Sequence, residues 1–129
     1  MIRKKIINPK RVRRIEDGFS YIPHRFLTDG FLATLNQKQL LLYLFLCLVS
    51  DRHGLSFYAY DAICSLLQLS VDDYMEARDA LMDKDLIAFD GTLFQVLDLP
   101  AKPAGPKPPK LVDRQGQIAK LIQQSLWEG

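Results

Sequence analysis

Apolar and polar positions in the middle of this chain have the spacing of short helices followed by a β-hairpin. The run at 36–51 (NQKQLLLYLFLCLVSD) opens with Asn36, which can cap free backbone N–H groups while Gln39 reaches back to complete a capping box. Leucine or an aromatic residue then occupies nearly every position. This pattern predicts a central helix with no face left for water.

Two further helices are predicted downstream. A short β-prone piece at 55–58 is followed by YDAICSLLQLS, a stretch typical of a helix that ends in a tight turn. Ser70 and Asp73 have the spacing of a second capping box, which predicts that a new helix starts at Val71. The predicted inner face of that helix consists of Val71, Tyr74, Ala77 and Leu81.

The segments on either side of these helices predict a hairpin and a strap. Two stretches rich in β-forming residues flank Asp90 and Gly91, a pair typical of hairpin turns. Upstream, the aromatic stretch at 19–31 (FSYIPHRFLTDGF) contains Pro23 and predicts a strand or turn that lays its apolar residues on the core. Those apolar residues are Tyr21, Ile22, Phe26 and Leu27. The expected fold class is α+β, mainly α with a small β-hairpin.

Composition divides the chain into four predicted segments. They are a basic arm at 1–15, a folded domain at 16–100, a proline-rich linker at 101–111 and an amphipathic C-terminal helix at 112–129. The linker should be extended and semi-rigid, because proline continues neither a helix nor a sheet. The C-terminal helix needs a partner for its apolar stripe, either its own domain, a second copy or another protein.

Charge is segregated along the chain, although the total is only +2. The arm carries seven basic side chains before its first carboxylate at Glu16. Residues 16–98 have five basic and thirteen acidic side chains, a net of −8, and residues 99–129 have five basic and two acidic, a net of +3. The near-neutral total therefore combines a basic arm, an acidic body and a mildly basic tail.

Candidate catalytic chemistry is sparse. Cys47 and Cys64 lie in apolar helical patterns and are interpreted as core residues. The sequence has no phosphate-binding glycine loop, no G-x-S-x-G motif and no metal-ligand spacing. We therefore expect no enzymatic activity, cofactor, metal or small-molecule substrate. With no secretion signal and a longest apolar run of ten residues at 40–49, we expect a cytoplasmic protein without membrane contact.

The sequence resembles winged helix-turn-helix domains. The likeness is carried by LNQKQLLLYLFL, YDAICSLLQLSVDDYMEARDALMDKDLIAFDG and FQVLDL, and it covers roughly residues 19–99. The opening FSYIPHRFL resembles the DNA-binding modules of plasmid replication initiators and bacterial replisome-organiser proteins. The resemblance implies a winged-helix fold and DNA binding, in transcriptional control or in replication initiation.

The predicted recognition helix departs from this family where it should face the major groove. Such helices usually present basic, amide or hydroxyl side chains there. This chain instead presents Val71, Asp72, Met75, Glu76 and Asp79. Each approach of a carboxylate to a phosphate costs on the order of 1 kcal/mol at contact in water.

Two hypotheses about function follow. In the first, the arm binds the DNA backbone and the winged helix adds modest shape readout. Its DNA-contact candidates are Arg3, Lys4, Lys5, Lys10, Arg11, Arg13 and Arg14, with Gln68, Ser70 and Arg78 in the domain. Each group also has an alternative role. Gln68 and Ser70 are equally suited to be turn and cap residues, and Arg78 is suited to pair with a neighbouring carboxylate. The arm has the composition of a solvated, disordered tail.

In the second hypothesis the domain binds another protein. Its candidates are Asp72, Asp73, Glu76 and Asp79 on the recognition helix, with Ile118, Leu121, Ile122 and Leu126 on the C-terminal helix, which would pair with a second copy or another subunit. A related hypothesis is that the acidic surface receives the basic arm of the same chain or of a second copy.

Overall fold

The computed structural model of the chain describes residues 3–104. The helices within this range are α1 (Arg25–Thr28), α2 (Gln37–Val49), α3 (Tyr60–Leu67) and α4 (Val71–Asp83), with short 3₁₀ turns at Pro9–Arg11 and Leu32–Thr34. The strands are β1 (Leu55–Ser56), β2 (Ile87–Phe89) and β3 (Phe94–Val96). The predicted C-terminal helix and residues 105–111 of the predicted linker lie outside the described residues.

Helix α2 begins where its capping residues predict. The Asn36 side chain accepts a hydrogen bond from the Gln39 backbone N–H at 2.8 Å. Gln39 Oε1 in turn accepts from the Asn36 backbone N–H at 3.1 Å. The reciprocal capping box is therefore confirmed, and it satisfies two donors that the first turn of a helix leaves free.

The prediction that α2 has no face for water is wrong. Its fully buried positions are Leu42, Tyr43, Leu46 and Cys47. Its exposed leucines, Leu41, Leu44 and Leu48, have the spacing of one helical stripe. A run of leucines has no polar residue that marks its outer face, so the face that is buried is decided by packing against α4 and β3.

Helix α4 packs on α2 through the inner face that its sequence predicts, with one exception. Tyr74 and Ala77 are each 2% exposed and Leu81 is 0% exposed. Val71 was predicted on the same face, but it is 46% exposed because it begins the helix at the edge of a surface groove. The contact between α2 and α4 is the largest between any two described elements.

The predicted hairpin is present and gains a third strand. Strands β2 and β3 pair antiparallel with Phe89 opposite Phe94. Asp90 Oδ1 closes the turn by accepting from the Thr92 and Leu93 backbone N–H groups at 2.8 and 2.7 Å. Strand β1 is shorter than the predicted piece at 55–58 and pairs with the other edge of β3, which gives the order β1-β3-β2.

The segment before α2, predicted as a short strand or turn, forms no strand. It contains the one-turn helix α1, whose Phe26 is buried and stacks on Tyr43 with ring centroids 4.9 Å apart. Ile22 packs at the edge of the core, but Tyr21 and Leu27 are 75% and 66% exposed. Neighbouring residues of a helical turn point in different directions about its axis, so Phe26 faces the core while Leu27 faces water.

Arg25 on α1 holds the end of the domain in place. Its guanidinium donates to the carbonyl oxygens of Pro100 at 2.7 Å and Ala101 at 3.3 Å. Its Nε also pairs with Asp29 Oδ2 at 2.8 Å. The chain is therefore anchored at residues 100–101, close to the predicted boundary between domain and linker.

The architecture is a winged helix of the α+β class. Helices α3 and α4 form a helix-turn-helix, α2 supports it from behind, and the β2–β3 hairpin follows as the wing. No helix in the range 3–104 is long and apolar enough to cross a membrane.

Candidate nucleic-acid interface

The turn between α3 and α4 sets the direction of the recognition helix. Gln68 ends α3 in the left-handed region at φ 58°, and the next backbone N–H, of Leu69, donates to Cys64 O at 3.0 Å. Leu69 is buried and fixes the turn to the core. Ser70 then caps α4, because its Oγ accepts from the Asp73 backbone N–H at 3.0 Å. Two of the predicted DNA-contact residues, Gln68 and Ser70, thus lie together in this turn.

Asp73 does not complete the second capping box. Its carboxylate accepts a hydrogen bond from Lys38 Nζ at 2.8 Å rather than from the Ser70 backbone N–H. This ion pair connects the first turn of α4 to the first turn of α2. Asp73, a candidate for the acidic interaction face, is therefore engaged within the domain and is one-third exposed.

The outward face of α4 is acidic and apolar, as the sequence indicates. Asp72, Met75, Glu76 and Asp79 are all exposed along the helix. A face that presents carboxylates and a thioether lacks the side chains that commonly donate hydrogen bonds to phosphates or to guanine. The helix-turn-helix is therefore in place, but its reading surface carries negative charge.

The guanidinium of Arg78, the basic candidate on this helix, is held by other side chains of the domain. Its guanidinium donates to Asp79 Oδ1 at 3.0 and 3.1 Å. It also lies 5.6 Å from the Tyr74 ring centroid and 5.3 Å from that of Phe89, so it joins α4 to the wing. The alternative that Arg78 pairs with a neighbouring carboxylate is confirmed. A DNA contact would require this guanidinium to leave its partners.

A groove of about 610 Å³ lies between the start of α3, the outer side of α4 and the wing. Its apolar wall is formed by Phe57, Tyr58, Tyr60, Val71, Met75 and Phe89. Sequence reasoning did not select the aromatic residues among these as site residues. The available signal was the density of aromatics in SFYAY, directly before a helix, but their exposure depends on how that segment packs.

The basic arm is fully exposed. Each described residue from Arg3 to Ile15 is exposed, and a short 3₁₀ turn at Pro9–Arg11 is the regular secondary structure in this range. Asn8 Oδ1 caps that turn by accepting from the Lys10 backbone N–H at 3.0 Å. The arm thus presents its cations to solvent without packing on the domain.

Residues 3–104 show no contact between the arm and the acidic face, although the hypothesis that the arm lies on that face requires one. The ion pair that the described arm makes is local, between Arg14 and Glu16 at 3.1 Å, with both side chains well exposed. An exposed pair of this type contributes little to stability. In this conformation the other described cations of the arm remain available to an external anion.

Cys47 has the character of a core residue. It is 5% exposed within the core of the domain. Burial raises the pKa of its thiol to about 11, so the nucleophilic thiolate is scarce at neutral pH. The interpretation of Cys47 as a core residue is therefore confirmed, whereas Cys64 is only partly buried.

Three aspartates hold loops and caps around the interface, and the pKa of each is lowered. Asp51 accepts from the backbone N–H groups of Leu55 and His53, and these bonds lower its pKa below the ordinary 3.8. The Lys38 ammonium and the Ser70 hydroxyl lower the pKa of Asp73, and backbone N–H groups at the wing tip lower that of Asp90.

We expect the domain to lose stability in acid because of these carboxylates. A lowered pKa in the folded state means that the unfolded chain binds protons first, so this stabilisation is complete above pH 3.8 and is lost as pH falls through the folded-state values. Thermal melts between pH 6 and about pH 2 should show a decreasing Tm. The decrease should be smaller in Asp51→Asn and unchanged in the control Asp17→Asn, an exposed residue outside the helices and strands. An equal decrease in all three proteins would contradict this origin.

Comparison with known protein families gives a match that agrees with this geometry. Residues 33–87 match the model of a helix-turn-helix domain family. The matched segment runs from the residues before α2 through α3 and α4 to the start of β2. Comparison with curated proteins and with solved structures gives no match. Over residues 33–87, the chain is therefore similar to a helix-turn-helix domain, a fold that suggests DNA binding.

Proposed function

We propose that this chain is a DNA-binding winged-helix protein in a regulatory or replication-linked role, and that its basic arm makes the main contacts with the phosphate backbone. The observation that carries the proposal is the pairing of a helix-turn-helix domain with an exposed arm of seven cations. The resemblance of the opening segment to replication initiators supports the replication-linked role.

The arm supplies the positive charge that the domain lacks. Lysine and arginine that neutralise phosphates release counterions, which gives affinity without sequence preference. A flexible basic arm can also follow the backbone or enter a minor groove. The domain itself has a net charge of −8 over residues 16–98, so its approach to DNA depends on the arm for electrostatic attraction.

The contribution of the recognition helix is tested by neutralising its outward carboxylates. We expect Asp72→Asn with Glu76→Gln to bind duplex DNA about 30-fold more tightly at 50 mM salt, because two like-charge contacts of about 1 kcal/mol each are removed. Fluorescence anisotropy of a labelled duplex measures this change. We expect the unsubstituted full chain to bind the same duplex.

The matched control neutralises two exposed carboxylates away from the start of α4, with Asp85→Asn and Asp98→Asn. If both pairs raise affinity equally, net charge is responsible and the recognition helix does not approach DNA. If no form binds duplex DNA at 50 mM salt, the proposed function is wrong.

A second candidate function is recognition of another protein through the same face. It is favoured by the exposed carboxylates Asp72, Glu76 and Asp79 beside an apolar groove. A surface of this composition suits a partner that is apolar and positively charged. In the anisotropy experiment, failure of every form to bind DNA would leave this function as the better explanation of the domain.

A further inference from the structure

The groove between α4 and the wing is an exposed apolar surface in a domain that buries most of its other aromatic side chains. Phe57, Tyr60 and Met75 on its walls are 67%, 56% and 43% exposed. Its volume of about 610 Å³ is within the usual range of binding pockets. Mostly apolar clefts of this volume are where binding sites are commonly found.

The charge around the groove restricts what can occupy it. Three exposed aspartates that form no ion pair with a described cation each follow or precede a lining residue in the sequence, and we call them the rim: Asp61, Asp72 and Asp90. The cation among the lining residues, Arg78, is already paired with Asp79 at 3.0 Å. The complementary occupant is therefore apolar along one side and carries basic side chains.

We propose that the C-terminal segment of this same chain, residues 113–127, docks in this groove. Its sequence places Ile118, Leu121, Ile122 and Leu126 at the i, i+3, i+4 and i+8 positions that a helix uses to fill an apolar groove. Residues 105–129 carry four basic side chains against two acidic ones. Both the apolar spacing and the sign of the charge match the groove and its rim.

The length of the connecting chain permits docking within one molecule. The fourteen residues from 105 to 118 reach about 40 Å when extended as proline-rich chains are, at about 3 Å per residue. A domain of this size has a radius of gyration of about 12 Å, so most of its surface lies within that reach. Covalent attachment also gives the segment an effective concentration on the order of millimolar, which favours a modest contact.

The exposed stripe of α2 is the competing surface, and it fits less well. Leu41, Leu44 and Leu48 form an apolar face, but the sequence of α2 contains no carboxylate. Its charged side chain is Lys38, which pairs with Asp73. A basic segment would find no opposite charge on that helix, whereas the groove has the three carboxylates of its rim.

The chain contains a single tryptophan, Trp127, which lies in the proposed docking segment and reports its environment. We expect the full chain to show blue-shifted Trp127 emission with weak quenching by acrylamide. Met75→Glu should shift the docking equilibrium about tenfold or more toward the free segment, because docking would cover an unpaired carboxylate. Emission should then move to the red, and quenching should increase. Phe57→Ser, on the opposite wall, should act in the same direction.

The matched control is Leu44→Glu, which adds the same charge at a position with almost the same exposure, 42% against 43% for Met75. It should leave Trp127 emission unchanged. Circular dichroism melts check that all three variants fold. The assay contains no DNA, so its outcome is independent of whether the proposed function is correct.

Four results would overturn the proposal. They are a solvent-exposed Trp127 in the unmodified full chain, buried emission that persists in both groove variants, loss of burial in Leu44→Glu alone, and burial that depends on protein concentration. The last would assign the groove to a second copy. Where the proposed DNA binding also holds, docking covers the recognition helix and wing, so DNA and the C-terminal segment would compete for one face.

Discussion

Replacing the seven arm cations with glutamine is expected to lower affinity for duplex DNA by about 10³-fold or more at 50 mM salt. Counterion release gives a slope of log K against log salt of about −0.9 for each neutralised phosphate, so six contacts correspond to a slope of about −5. The substituted arm should reduce this slope to near zero. Anisotropy titrations at several salt concentrations measure both quantities. The substituted positions are Arg3, Lys4, Lys5, Lys10, Arg11, Arg13 and Arg14.

A shuffled arm is the control for this prediction. If the attraction is electrostatic, an arm with the same residues at 3–14 in another order should bind almost as well as the original. The Tm should be equal in all three proteins, because the described arm is exposed and does not pack on the core. Affinity that stays within tenfold after neutralisation would mean that the domain supplies the contacts and that the arm is a solvated tail.

Shortening Leu81 to alanine is expected to destabilise the domain by about 3 kcal/mol, because a fully buried leucine leaves a cavity that its neighbours fill only in part. Leu81 is 0% exposed and belongs to the inner face of α4, the helix that packs most extensively on α2. For a domain of this size the corresponding decrease in Tm is roughly 15 °C. Thermal and urea unfolding followed by circular dichroism measure the loss.

Met82→Ala is the matched control, since it shortens the adjacent residue, which is 38% exposed. It should cost less than about 1 kcal/mol. Equal losses at the two positions would contradict the assignment of Leu81 to the core, and with it the orientation of α4. That orientation also places Asp72, Met75 and Glu76 on the outer face, so this measurement checks the geometry of the candidate interface.

The elements that the sequence predicts well are those fixed by neighbouring residues. Asn36 and Ser70 cap the helices whose starts they predict, and Asp90 closes the predicted hairpin. These hydrogen bonds join residues two or three positions apart, so the residue types alone carry the information. The family match over residues 33–87 agrees with the order of elements that these signals produce.

Prediction from sequence was least successful for the exposure of side chains. The leucines of α2 were expected to be buried on every side, and Tyr21 and Leu27 were expected to face the core, but several of these residues are exposed. Hydrophobicity gives the tendency of a side chain to be buried. Which side chains become buried depends on the surface that is available to pack against them, and a small domain cannot cover all of its apolar side chains.

The sequence by itself determined the charge segregation, the caps, the turn and the order of helices and strands from α2 onward, because these follow from composition and from contacts between close neighbours. The tertiary structure alone decided that the Arg78 guanidinium lies over the Phe89 ring of the wing and that Asp73 pairs with Lys38 across two helices. It alone also opened the aromatic groove beside α4. These features join residues far apart in the chain, and their geometry exists only once α2, α4 and the wing have packed together.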